Sequence, residues 1–433
     1  VASIGVAVAE VTVDVTVRAI AAGGSGVADL PDGRVVFVPR TAPGDRASVC
    51  IERSKPRWAK GSLRTLTEPS PSRREAPCVL YDVCGGCQLQ HLPYDLQLEW
   101  KARFVEDALE RIGGVALADR PPITGSPHET RYRSRVAFTL RRLAKGRVVA
   151  GFHALDRPGR IVDVHDECLL PRAPLLDAWV TLRAAWGEGA RLLPRGESLR
   201  LTLRQDAGGI VLVVEGGEAR WSAAPLLEAS GLAAIWHRSD GGPGTRPQSV
   251  ELKAGSTEAG SPAFSQVNPE VAEAMMDHVL GLVGSKGATE HRRAADAYSG
   301  MGEYARRLAA AGWTVSAIEL DPVACEAARK ASGDRYVVFE GRVEDRLAEV
   351  LPADLLIANP PRAGLGPEVV GAIMAAPPER LVYVSCDPAT LARDVAGLGE
   401  RYAIGSIECF DLFPQTAHVE TVVELTRREE ERA

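Results

Sequence analysis

From residue 263 onward the chain alternates short apolar runs with amphipathic ones, and no other feature constrains the fold so strongly. "RAADAYSGMGEYARRLAAAGWTVSAIELDPVACEAARKA" reads as strand, glycine loop, helix, strand and second helix. "ADLLIANPPRAGLG" and "RLVYVSCDPATLARDVAGLG" each repeat strand, loop and helix. Strands separated by helices run parallel, with the helices packed over the sheet. Ligands bind such sheets outside the carboxyl ends of the strands. The loops after the apolar runs are therefore where the chemistry is expected.

"DAYSGMG", residues 296–302, is the first of these loops. Gly300 and Gly302 permit a tight turn and close approach of a ligand to the backbone. Glu319 ends the next strand, 19 residues after Gly300, where a carboxylate suits a ribose diol. The loop is not a full G-x-G-x-x-G, and an ordinary tight turn has the same composition. With the acid after the second strand, it resembles the class I S-adenosylmethionine-dependent methyltransferases.

"LVYVSCDPAT", residues 381–390, puts a thiol at the end of a buried strand. Asp387 suits a helix N-cap and Pro388 a first helical position. Cys386 would then lie beside the positive end of a helix dipole, which favours thiolate. At the ordinary thiol pKa only about 3% is ionised at pH 7, so a small shift matters. A buried inert cysteine occupies similar positions. The segment "FPQTAHVETVVEL", 413–425, reads as a late strand of the same sheet, with Thr416, His418 and Glu420 on one face. A solvated edge strand is the plainer reading of that segment.

The rest of the chain has a different character. Residues 8–67 read as short strands punctuated by Gly23-Gly24, Pro31-Asp32-Gly33 and Pro43-Gly44-Asp45. That is the pattern of a small β-barrel of the OB type. "TEPSPSRREAP", 67–77, is a linker by composition. A helix over 91–112 ends at Gly113-Gly114, residues 130–260 are strand-rich, and "SDGGPGTRPQ", 239–248, is a turn region. The domains expected are an OB-like barrel over 1–68, a central α+β domain over 69–262 and an α/β domain over 263–433.

The net charge of −6 argues against nucleic acid, but its distribution does not. Residues 52–74 hold seven Lys/Arg against two acids, and residues 120–160 hold ten against two. Such patches attract phosphate, although a solvated basic surface looks the same. The N-terminal "VASIGVAVAEVTVDVTV" alternates like a strand and lacks the basic start of a signal peptide. No uncharged run reaches the length of a membrane span, and a cytoplasmic protein is expected.

Three of the eight cysteines cluster in "CVLYDVCGGC" as Cys78, Cys84 and Cys87, and Cys168 lies farther on in "DVHDECLLP". In a large cytosolic chain, clustered cysteines point to metal or catalysis before disulfides. Four thiolates suit either an iron–sulfur cluster or zinc, and spacing alone does not choose. Cys50, Cys325 and Cys409 sit in apolar patterns and read as core.

"NPPRAGL" at 359–365, "SCDPATLARD" at 385–394 and "PQTAHVETVVEL" at 414–425 together resemble the RNA uracil-C5 methyltransferases, which make 5-methyluridine in transfer or ribosomal RNA. The likeness runs over nearly the whole chain. It implies that the barrel is a TRAM domain binding RNA and that "FSQVNPEV", 264–271, leads into the catalytic domain. Cys386 is implied as nucleophile and Glu420 as base, with Arg362 and His418 in support. S-adenosylmethionine is implied as cofactor, held by Gln266, Tyr298, Gly300, Gly302, Glu303, Glu319 and Asn359. A 4Fe–4S cluster on Cys78, Cys84, Cys87 and Cys168 is implied by relatives with this spacing, and such relatives favour 23S ribosomal RNA over uridine 54 of transfer RNA.

The sequence departs from this family in two places. Asn359 stands where the family usually has Asp, which keeps a donor and an acceptor but loses the charge. Glu303 stands where many relatives carry a smaller neutral residue. Two other readings stay open: an RNA-binding protein with an idle catalytic domain, and a cytosine-C5 methyltransferase. No membrane or obligate protein partner is expected, and a monomer is the default.

Overall fold

The structure, a computed structural model, describes residues 11–206, 208–239, 266–284 and 292–429. Most of the turn region at 239–248, and Phe264 and Ser265 of "FSQVNPEV", lie outside the described residues.

Strands β1 (Thr12–Ile20), β2 (Gly26–Asp29), β3 (Val35–Val38), β4 (Arg46–Ser54) and β5 (Trp58–Glu68) close into a barrel in the order β1-β2-β3-β5-β4. Alternation fills it: Val15, Val17, Val36, Val38 and Val49 point inward. Closure removes the sheet edges. β3 and β5 are parallel, with Val35 opposite Trp58 and Phe37 opposite Lys60. The residues between the core valines, Val35 and Phe37, are half-buried on the outer face.

The second sheet is six-stranded, in the order β12-β11-β10-β7-β8-β9. Its strands are β7 (Arg135–Arg142), β8 (Val148–His153), β9 (Ile161–Asp163), β10 (Ser198–Asp206), β11 (Gly209–Glu215) and β12 (Ala234–Arg238). Helices α2 (Ala173–Ala185) and α3 (Ala224–Ser230) share its core, where Trp179 packs on Phe138 with ring centroids 4.2 Å apart. Cys87 and Cys168 belong to the same core.

The third sheet has eight strands in the order β15-β14-β13-β16-β17-β19-β18-β6. It comprises β13 (Arg293–Ala297), β14 (Thr314–Glu319), β15 (Tyr336–Glu340), β16 (Leu355–Ala358), β17 (Arg380–Ser385), β18 (Tyr402–Phe410) and β19 (Glu420–Arg427), plus a short β6 (Ile123–Thr124). β13 to β17 run parallel to one another, and β19 is antiparallel between β17 and β18. The connecting helices are α5 (Glu303–Ala310), α6 (Pro322–Lys330), α7 (Val343–Val350), α8 (Gly366–Ala375) and α9 (Pro388–Leu398), with α4 (Pro269–Val283) leading in. Apolar cores cover both faces, so β16 and β17 are almost continuously apolar, as doubly covered strands are. The order reverses between β13 and β16, which opens a crevice at their carboxyl ends.

Helix α1 (Tyr94–Arg111) and β6 precede the central sheet in sequence but pack on the third sheet. At the end of α1 a Cβ on Gly113 would stand 3.2 Å from the Ala392 carbonyl of α9. Lys101 of α1 forms a fully buried ion pair, 2.5 Å long, with Asp411 just after β18. Tyr94 donates to the other Asp411 oxygen at 2.9 Å.

The segment 413–425 differs from the strand expected. β19 begins only at Glu420, and 411–419 form a tight connection. Gln415 has φ of 69°, a left-handed conformation that breaks strand alternation. The Thr416 hydroxyl donates back to the Phe413 carbonyl at 2.7 Å. Thr416, His418 and Glu420 therefore do not share a strand face.

Candidate active site

The carboxyl edge of the third sheet gathers most of the residues singled out. After β13 the chain turns through Tyr298, itself at φ 62°, into Gly300 at 56° and Gly302 at 77°. A Cβ on Gly302 would stand 1.8 Å from the Tyr336 hydroxyl, whereas one on Gly300 would meet nothing within 4 Å. Gly302 is thus fixed by packing, and Gly300 leaves space beside the backbone. Both Glu319 oxygens accept backbone N–H groups, from Gly300 at 2.8 Å and Asp321 at 2.7 Å. Asn359 follows β16 and donates its N–H to the Ala297 carbonyl at 3.3 Å, beside the same loop.

Asp296, the first residue of "DAYSGMG", was not among the residues expected, although its place four before Gly300 was a usable signal. It is fully buried, and one oxygen accepts from the Ala305 N–H at 3.0 Å. The other oxygen has no partner among the described residues. Burial first, then the Glu319 charge, raises its carboxyl to about 7. An orphaned buried oxygen beside an open glycine loop is a receptor for a cation. These features fit the amino-acid end and ribose of S-adenosylmethionine.

Two other residues are expected at the cofactor. Gln266 precedes α4, and its carbonyl accepts from the Ser134 hydroxyl at 3.3 Å. Glu303, at the start of α5, pairs on the surface with Arg306 at 2.5 Å and Arg307 at 3.5 Å.

Cys386 follows β17 directly. Asp387 caps α9 by accepting from Ala389 and Thr390 N–H groups, both at 3.0 Å. Ser385 pairs with Thr421 in the β17–β19 ladder, so Cys386 and Glu420 occupy the next positions outward. Buried Glu420 has its carboxyl raised to about 8 by desolvation, partly offset by Arg362. The Cys386 thiol is also raised, first by burial and then by the Glu420 charge, against Arg362. The activation expected from the α9 dipole is outweighed by burial and the Glu420 charge, with a smaller contribution from Asp387.

Buried Asp394 of α9 holds the arginine loop in place. It accepts from the Leu365 N–H at 2.8 Å and the Tyr383 hydroxyl at 2.7 Å. Arg362 then lies 3.3 Å from both His418 ring nitrogens. Desolvation in the cleft, then the Arg362 charge, pushes His418 down to about 4, so it is neutral at pH 7.

A cavity of ≈ 760 Å³ opens over the thiol, lined by Cys386, Arg362 and His418 and, across from them, by barrel and α1 residues including Phe37, Trp58 and Phe104. The 411–419 loop is clamped from two sides. The Gln415 carbonyl accepts from Gln88 at 2.9 Å and Leu89 at 3.0 Å. Gln97 of α1 accepts from the Gln415 N–H at 3.1 Å, and Lys101 donates to the Phe413 carbonyl at 3.1 Å.

Cys78, Cys84, Cys87 and Cys168 line one small cavity of ≈ 20 Å³. Among the described residues no three His, Cys, Asp or Glu side chains are grouped to hold a metal ion. A tetrahedral zinc site would need sulfurs roughly 3.8 Å apart, from Zn–S bonds of about 2.3 Å. Burial raises Cys87 to about 11 and Cys168 to about 12. Arg40 donates to the Tyr81, Cys84 and Cys87 carbonyls at 2.6 to 2.7 Å, and Arg131 to the Cys168 carbonyl at 2.7 Å. Arg40 and Arg131 thus hold the backbone around the four cysteines rather than their sulfurs. A Cβ on Gly85 would stand 2.9 Å from the His153 carbonyl, so the turn tolerates no side chain there.

No helix among the described residues is long and apolar enough to cross a membrane.

Comparison with known proteins adds a consistent set of likenesses. Residues 341–428 match the model of the tRNA (uracil-5-)-methyltransferase family, and residues 9–63 match the TRAM domain. An uncharacterized RNA methyltransferase of Gloeobacter violaceus is 34% identical over 96% of both chains. Another from Nostoc is 33% identical over 94% of this chain and 95% of its own. The crystal structure of Pyrococcus abyssi tRNA (uracil-54, C5)-methyltransferase with S-adenosyl-L-homocysteine aligns with a TM-score of 0.72 at 26% identity, over 95% of this chain and 99% of that one.

Proposed function

The chain belongs to the TRAM-bearing RNA uracil-5 methyltransferase family, and we propose that it methylates C5 of a uridine in RNA through a covalent bond between Cys386 and C6. One observation carries this reading: Cys386 and Glu420 take the facing positions just beyond the last pair of the β17–β19 ladder, and Cys386 opens into the cleft.

S-adenosylmethionine supplies the methyl group as an electrophile. Asp296 accepts its ammonium group, Glu319 its ribose hydroxyls, and Gly300 leaves room for the chain between them; Asn359, Tyr298, Gly302, Gln266 and Glu303 complete the set assigned to this ligand. Uracil C5 is a weak nucleophile, so the Cys386 thiolate first adds to C6 and pushes the ring electrons toward C5 and O4. Arg362 faces the thiol and offsets the negative charge of that step. Once C5 carries the methyl group, Glu420 takes the C5 proton, and the ring electrons expel the thiolate. A carboxylate kept from water is the stronger base for this task. The uridine must be unstacked from its RNA to reach the cleft floor.

The four cysteines are assigned to a 4Fe–4S cluster, supported by their common cavity. Its contribution is a cross-link between the 78–87 segment and the central sheet. Ribosomal RNA, 23S in particular, is the substrate proposed; the likeness to the Pyrococcus abyssi enzyme favours uridine 54 of transfer RNA as the second reading. RNA containing 5-fluorouridine, which has no C5 proton to lose, should trap the wild-type protein as a covalent adduct in the presence of S-adenosylmethionine. Absence of an adduct, with no 5-methyluridine formed in either RNA, would defeat the reading.

A further inference from the structure

We infer that the outer face of the barrel at Trp58 and Phe37 is a stacking subsite for an unpaired RNA nucleotide next to the uridine held at Cys386. The inference rests on the function proposed above. It starts from strand register: alternate residues of β3 fill the barrel, so Val35 and Phe37 are turned outward against Trp58 of parallel β5. Trp58 is 37% exposed. Phe37 meets it edge-on, with ring centroids 6.3 Å apart, and the Arg53 guanidinium lies 5.9 Å from its ring.

A single exposed aromatic is ordinary. This one differs because Trp58 and Cys386 line one continuous cavity. Its charges suit a polyanion. Arg57 and Arg362 line it, and neither has a carboxylate partner among the described residues. Its acids are already engaged: Asp387 caps α9, and Asp107 lies 3.9 Å from Arg111. Aromatic faces with flanking arginines are how proteins hold splayed single-stranded bases.

The full chain is tested with a fluorescein-labelled 12-nucleotide oligouridylate by anisotropy, and with a 5-fluorouridine 12-mer by the rate of adduct formation at saturation. Trp58→Ala should weaken binding about tenfold and leave the saturating adduct rate unchanged. Trp58→Phe should restore binding to within about threefold, and Trp58→Leu, apolar but without a π face, should not. Binding by Trp58→Ala within twofold of wild type, or rescue by Leu equal to that by Phe, would overturn the subsite. A wild-type protein that binds the oligonucleotide but forms no adduct would defeat the catalytic reading instead, and the Trp58 comparison would still decide the subsite.

Discussion

Cys386 and Glu420 are the first residues beyond the last hydrogen-bonded pair of β17 and β19, Ser385 with Thr421. Antiparallel strands set such positions about 5 Å apart, so one flat ring can meet both groups. Burial raises the proton affinity of both, and the Glu420 charge raises that of Cys386 further. If these are the nucleophile and base, they fail differently. Cys386→Ala should lower methyl transfer by at least about 10³-fold and form no adduct with 5-fluorouridine RNA. Glu420→Gln should form an adduct with ordinary RNA that persists after methylation, visible as a slow-migrating band. Equal adduct yields from the two variants would sink the assignment.

The carboxyl of Glu420 also sets a pH dependence. Its value is raised to about 8 from the ordinary 4.5, so the folded protein holds this proton more tightly than the unfolded one. The stability it contributes is complete below about 4.5 and is lost as pH rises to about 8. Glu420→Gln should therefore melt above wild type at pH 8, by on the order of a few kcal/mol, with the difference vanishing near pH 4. Turnover runs the other way, because the base must be ionised. Single-turnover rates should climb between pH 6 and 9, and a flat profile would contradict the role.

Asp296 makes a separate prediction about the methyl donor. Its carboxyl is raised to about 7 by burial and the Glu319 charge, and an ammonium group favours the ionised form. Binding of S-adenosylmethionine at pH 6.5 should release a proton, seen as a dependence of calorimetric heat on the buffer's ionisation enthalpy. Asp296→Asn should abolish that dependence and weaken binding by roughly tenfold, the worth of one charge-assisted hydrogen bond.

The Lys101–Asp411 pair should be costly to break on one side only. Lys101→Met leaves an unpaired buried carboxylate and should cost about 3–5 kcal/mol. The double variant Lys101→Met, Asp411→Asn should recover part of that loss in a thermal melt. An equal loss in both variants would show that helix packing, not charge, dominates there.

For the cysteines, the purified full chain should carry about four iron and four acid-labile sulfide atoms per chain if they hold the cubane cluster. Cys87→Ser should lose them. Because Gln88 and Leu89 both donate to the Gln415 carbonyl, hydrogen exchange at 411–420 should rise in the same variant. Zinc with no sulfide would overturn the cluster while leaving the four-cysteine centre.

Much of this was legible in the sequence. The barrel showed itself through alternation and glycine turns, and the parallel sheet through strand–helix alternation. Asp387-Pro388 marked a helix start correctly, since N-capping is a local property. The pH behaviour of Cys386 was not legible, because burial and a carboxylate from another strand outweigh the local dipole. Nor was the break before Glu420, which depends on Gln415 bonding to residues more than 300 positions away. The attachment of α1 and β6 to the third sheet escaped periodicity for the same reason: an amphipathic helix does not encode which core it covers.

That attachment bears on how the chain is made. Lys101 leaves the ribosome 310 residues before its partner Asp411. Until then α1 has no sheet to cover, and its charged side chain must stay hydrated beside an apolar face. Synthesis halted before β18 should thus yield a polypeptide with a folded barrel and an uncovered first helix, a natural client for chaperones and proteases.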